Sequence, residues 1–151
     1  QAVRAAGYGL QVLFFQFLKD NSSNERKILE AVPGITCLPG RDQEKFVSRM
    51  NGDEKAELRH YNNKALDEIV KFCTNFDVLV LDESLCAIHL NVLSEEKIRS
   101  FLEHKPRGLE IIMTGHEVSQ DLLDLADYAT MMMKVKHPYD RKVQAREGIE
   151  F

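Results

Sequence analysis

Two apolar runs of equal length fix the class of fold open to this chain. Residues 77–83, DVLVLDE, and residues 109–115, LEIIMTG, each hold a block of aliphatic side chains between polar ends. A strand with one wet face alternates apolar and polar residues; these runs do not, so both of their faces need cover, as in parallel sheets of α/β proteins. Parallel neighbours also need a crossover, usually a helix. The stretch between the runs supplies one: Ser94 can cap a helix that carries Glu95 and Glu96 in its first turn and ends before Pro106.

The rest of the chain continues the alternation. Residues 11–17, QVLFFQF, form another short run rich in β-formers, and from Asn24 the pattern turns helical, with Ile28, Leu29 and Val32 apolar, until Pro33 and Gly34 stop it. Residues 34–38, GITCL, suit a second strand. Across residues 53–75, Leu58, Tyr61, Ala65, Ile69 and Phe72 recur at spacings of three and four, which specifies a long amphipathic helix. Ser119 opens a short helix with Leu122, Leu123 and Leu125, and residues 128–135, YATMMMKV, are expected to return as a final strand. Residues 1–6 read as the last turns of a helix closed by Gly7. The expected architecture is one α/β domain over residues 1–151, a three-layer sandwich around a mainly parallel sheet.

Composition narrows the partners. The net charge is -4, which gives no broad basic field for nucleic acid. Cys37, Cys73 and Cys86 are odd in number and lack a paired spacing, so neither a disulfide framework nor a zinc site is indicated. The apolar stretch 10–18 is interrupted by Gln11 and Gln16 and is too short for a membrane span. The expectation is a cytoplasmic chain without nucleic-acid or membrane partners.

In an open parallel sheet a ligand lies beyond the carboxyl ends of the strands. Those ends carry Gln16 and Lys19, Asp82 and Glu83, Thr114 and His116, and Lys134 and Lys136. Asp82 and Glu83 after four aliphatic residues have the pattern of a Walker B strand, whose carboxylate reaches magnesium directly or through water. The same pair also reads as a solvated strand end. A Walker B strand implies a G-x-x-x-x-G-K-[ST] loop, and the 151 residues contain none; Gly7 and Gly9 precede their strand and read as a helix-ending turn.

In order along the chain, RAAGYG at 4–9, QFLK at 16–19, the acidic Glu25, FVSRMNGDEK at 46–55, VLVLDE at 78–83, IIMTGHEVSQDLLDLADYAT at 111–130 and VKHPYDRKVQAREGIEF at 135–151 resemble the P-loop corrinoid adenosyltransferases, the CobA/BtuR family, over the whole chain. The resemblance implies a P-loop NTPase, RecA-like sheet whose first strand and phosphate loop lie before Gln1, so that residues 1–151 alone bind ATP poorly. It implies transfer of the 5′-deoxyadenosyl group of ATP to Co(I) of a corrinoid with release of triphosphate, an electron-donating reductase as partner, and a homodimer.

Carried over by position, Asp82 and Glu83 would hold magnesium or manganese beside the triphosphate. Gln16, Lys19, Glu25 and Thr114 would line the nucleotide or corrinoid cleft. His116 stands where the family usually has arginine, making a fixed charge conditional. Phe46 is either an aromatic that displaces the lower axial ligand of cobalt or a core residue under the long helix, with Arg41, Asp42 and Gln43 nearby. Lys136 and His137 would close over the site. A non-catalytic corrinoid- or nucleotide-binding relative and another P-loop ATP-using enzyme are the rival readings. The first would lack a phosphate loop in its gene, and the second would not share the 135–151 stretch.

Overall fold

A computed structural model describes residues 1–42 and 45–149. The first strand, β1 (Val12–Gln16), is buried along its whole length. It pairs in parallel with β2 (Ile35–Cys37) on one side and β3 (Val78–Asp82) on the other, and β3 pairs in parallel with β4 (Glu110–Met113), giving the order β2-β1-β3-β4. The register sets Gln16 beside Asp82 and Leu81 beside Met113, so the strands finish at one edge.

Strand side chains point alternately to the two faces, and two cores result. Leu13, Phe15, Leu79 and Leu81 pack on one face with α3 (Gly52–Phe72), α4 (Ser84–His89), α5 (Glu95–His104) and α6 (Gln120–Asp124). Val12, Phe14, Val78 and Val80 pack on the other with Ala2, Ala5 and Ala6 of α1 (Ala2–Tyr8) and Leu29 of α2 (Asn24–Leu29). The expected sandwich of helix, parallel sheet and helix is thus the observed one.

The helix starts follow from side-chain chemistry. Asn51 caps α3 through the backbone N–H of Glu54, whose carboxylate accepts from the Asn51 N–H in return. Ser94 accepts from the Lys97 N–H to start α5, and Ser119 from the Leu122 N–H to start α6. At the end of α2, Arg26 is buried: its Nε donates to Glu30 at 2.7 Å, Nη1 to the Leu38 carbonyl at 2.8 Å and Nη2 to the Cys37 carbonyl at 3.4 Å. The guanidinium therefore ties α2 to the end of the edge strand β2.

Three expectations need correction. Residues 128–135 form no strand: Met131, Met132, Met133 and Val135 are largely exposed and pair with no other strand among the described residues. Their β-forming composition needs a hydrogen-bonding neighbour to act on, and the outer edge of β4 is left without a partner among the described residues. Helix α1 ends at Gly9 (φ 104°) rather than at Gly7, because Gly9 takes the left-handed conformation that closes the helix. Helix α4 has no sequence cue, since it starts from Glu83 without a side-chain cap. Gln43 and the last two residues of the 135–151 stretch lie outside the described residues.

Leu66 is buried in the larger core, whereas Ile28 stands exposed on α2. Leu66→Ala is expected to destabilise the fold by about 2–5 kcal/mol, and Ile28→Ala by no more than about 0.5 kcal/mol, both read from urea unfolding.

Candidate functional site at the strand tips

The carboxyl ends of β1, β3 and β4 each turn sharply. Leu18 (φ 60°) and Glu83 (φ 58°) sit in the left-handed region although neither is glycine, and Gly115 (φ 142°) ends β4. Left-handed residues bearing a Cβ are disfavoured and persist where surrounding contacts over-determine them. At Glu83 those contacts are plain: its N–H donates to Thr114 Oγ1 at 3.0 Å, and Glu83 is also the N-cap of α4.

Asp82 joins the tips. Thr114 Oγ1 donates to its Oδ1 at 2.7 Å, Gln16 Nε2 donates to its Oδ2 at 3.1 Å, and Lys19 Nζ lies 3.7 Å from Oδ2. Gln16 is buried and fully engaged, since its Nε2 also donates to Glu25 Oε1 at 2.9 Å and its Oε1 accepts from the Ser23 hydroxyl at 2.9 Å. Lys19 Nζ donates to Glu25 Oε1 at 2.8 Å. Gln16, Lys19, Glu25, Asp82, Glu83 and Thr114 are therefore one connected cluster.

Charge in this cluster is unbalanced, with Glu25, Asp82 and Glu83 against the single ammonium of Lys19. The Glu25 carboxyl is held down at about 2, first by the Lys19 hydrogen bond and further by Gln16. Burial works to lower the Lys19 pKa, but its hydrogen bond to Glu25 and the charges of Asp82, Glu25 and Glu83 outweigh that and raise it. Both groups remain ionised at neutral pH.

The turn after β4 lies against the first turn of α4. A Cβ on Gly115 would sit 2.7 Å from the Cys86 backbone nitrogen and 2.9 Å from Leu85 Cβ. The His116 N–H donates to Cys86 Sγ at 3.2 Å. Burial, followed by the nearby Glu83 carboxylate, pushes the Cys86 thiol up, so it stays neutral. Sequence reasoning missed Cys86 and Gly115, because nothing in their local pattern reveals that two loops meet.

The remaining expected site residues lie elsewhere or face solvent. His116 is exposed at the rim, with only its backbone engaged. Phe46 is exposed rather than a core aromatic; it opens a 3₁₀ turn (Val47–Arg49), and the Arg49 guanidinium lies 5.9 Å from its ring centroid. Lys136 and His137 are exposed in the C-terminal segment, where His137 Nδ1 accepts from the Tyr139 N–H at 3.0 Å. The structure does not bring these last three into the hydrogen-bonded cluster.

An all-parallel sheet covered on both faces, with an acidic pair at the tip of an inner strand, is the arrangement of a P-loop NTPase-like three-layer α/β sandwich. Within it the match is specific: the description "ATP:corrinoid adenosyltransferase BtuR/CobO/CobP" fits residues 1–151, and the chain belongs to that family. Its relatives include the corrinoid adenosyltransferase CobA of Salmonella typhimurium, 30% identical over 159 residues, covering 99% of this chain and 76% of that protein. The corrinoid adenosyltransferase of Escherichia coli K12 is 28% identical over 151 residues, covering 99% and 76% respectively. That of a Sinorhizobium species is 28% identical over 153 residues, covering 98% and 70%.

Two outcomes test the cluster. Gly115→Ala is expected to destabilise by about 1–3 kcal/mol, because a side chain must be held at a positive φ against backbone only 2.7 Å away; chemical denaturation measures it. The folded chain binds the Glu25 proton more weakly than the unfolded chain does, so Glu25 stabilises the fold above its ordinary pKa of 4.5, and this contribution is lost as pH falls from there toward about 2. Glu25→Gln is therefore expected to melt below the wild type near neutral pH, with the two melting temperatures converging across that acid window.

Proposed function

We propose that this protein transfers the 5′-deoxyadenosyl group of ATP to the Co(I) of a corrinoid, releasing triphosphate. The observation that carries the reading is the acidic strand tip, in a chain matched over residues 1–151 by the family description. The reduced corrinoid is itself the nucleophile. Its cobalt contributes the electron pair of the new Co–C bond, and the C5′–O bond breaks with its electrons leaving on triphosphate. No protein nucleophile or general base is needed, so the protein's part is alignment, charge compensation and exclusion of water.

The acid-rich cluster fits a divalent cation better than a bare triphosphate. Negative phosphates would be repelled by Glu25, Asp82 and Glu83 unless a cation stands between. No group of three or more metal-ligating side chains occurs among the described residues. One or two carboxylates with phosphates completing the shell is the mode magnesium favours over an all-protein cage. Asp82 and Glu83 are the carboxylates proposed to hold magnesium or manganese; each Asp82 oxygen already accepts one protein hydrogen bond, so the direct contact is assigned to Glu83. When bound, that cation would neutralise charge growing on the leaving triphosphate.

Lys19, held by Glu25, supplies a fixed positive charge beside the same tip. Phe46, His116, Lys136 and His137, all exposed, are proposed to meet the corrinoid or the phosphates when these bind. Homodimer formation, a cytoplasmic setting and a reductase that delivers electrons to the corrinoid belong to the same reading. Among the described residues no helix is long and apolar enough to cross a membrane.

The complete gene product, given ATP, magnesium and chemically reduced cobalamin, is expected to form the light-sensitive adenosyl product, followed by its absorbance change. Glu83→Gln is expected to lower kcat about 100-fold or more, the scale of a few kcal/mol of lost charge stabilisation. Turnover at the wild-type rate would remove Glu83 from the role.

A further inference from the structure

Thr114 stands at the strand tips beside Asp82 and Glu83, within the cluster proposed to meet the nucleotide. Its hydrogen bonds argue against a direct contact of its own. A threonine hydroxyl has one proton to donate and two lone pairs to accept with. The proton goes to Asp82 Oδ1 at 2.7 Å, and one lone pair receives the Glu83 N–H at 3.0 Å. Triphosphate offers acceptors rather than donors, so Thr114 has no proton left for it.

The backbone of Thr114 is committed to the same tip. Its N–H donates to the Leu81 carbonyl at 3.3 Å, and its carbonyl accepts from the Leu85 N–H at 3.1 Å. The residue that follows β4 thus grips β3 and the start of α4 at four points spanning Leu81 to Leu85. Between the outer two points lies Glu83, in a left-handed conformation that residues with a Cβ avoid. The adjoining Gly115 lets the grip close, because any side chain there would strike Leu85 and Cys86.

We propose that Thr114 is a positioning residue: its hydroxyl locks the left-handed turn at Glu83 and pins Asp82, and so sets where the Glu83 carboxylate points. The inference deepens the adenosyl-transfer reading and rests on it for its kinetic consequence. Its structural half stands independently, because the Glu83 amide proton reports the clamp directly.

Thr114→Val keeps the shape and removes the hydroxyl, whereas Thr114→Ser keeps the hydroxyl. In the complete gene product, the valine variant is expected to lose about 10- to 100-fold in kcat, the scale of a displaced catalytic group, with KM for ATP moved less than about threefold. Mn²⁺ binding in the presence of ATP, followed by paramagnetic resonance, is expected to weaken by about tenfold in the valine variant, since one directed carboxylate ligand is lost from position. Hydrogen exchange at the Glu83 amide is expected to quicken at least about tenfold in the same variant. The serine variant is expected to stay within about threefold of wild type in every readout.

A valine variant with wild-type kcat and an equally protected Glu83 amide overturns the proposal. So does a valine variant whose KM for ATP rises tenfold at unchanged kcat, which would make Thr114 a nucleotide ligand. A serine variant as impaired as valine also overturns it, because the hydroxyl would then not be the cause. Wild-type protein without adenosyl transfer would defeat the functional reading instead, leaving the Glu83 exchange comparison to decide the clamp.

Discussion

The carboxylate of Asp82 is the knot on which the candidate site depends. It receives Thr114 from just past the end of β4 and Gln16 from β1, and through Gln16 and Lys19 it connects to Glu25 of α2. Two sheet neighbours and a helix of the opposite layer are thereby indexed to the end of β3. A carboxylate with both oxygens hydrogen-bonded also has little reason to move when ligands arrive. The strain at Glu83 becomes tolerable in that setting, because the atoms around it are already fixed by Asp82.

Much of this fold was legible because its cues are local. Unalternating runs such as VLVLD announced strands covered twice, and Ser94 and Ser119 announced helix starts that the structure places at those residues. What stayed hidden was tertiary. The helix α4 has only six residues and begins from a left-handed glutamate without a side-chain cap, so no propensity signal marks it. Residues 128–135 mislead for the opposite reason: MMMKV has strand composition, but composition cannot supply a neighbour.

The site was legible to a similar depth. The rule that ligands gather beyond the strand ends pointed to Gln16, Lys19, Asp82, Glu83 and Thr114, which lie at or just past one sheet edge, and equally to Lys134 and Lys136, whose strand does not form. The rule says nothing about which side chain holds which. That both Asp82 oxygens accept from protein donors while its neighbour is held by its backbone follows only from the turn geometry.

Arg26 has a consequence at the far side of the sheet. Strand β2 is an edge, and edges offer unpaired carbonyls to any stray chain that can line up with them. Here the edge is only three residues long, and the carbonyls of Cys37 and Leu38 at its end are already occupied by a buried guanidinium. The same cation that anchors a helix thus leaves fewer free acceptors at the end of this edge for another chain to pair with.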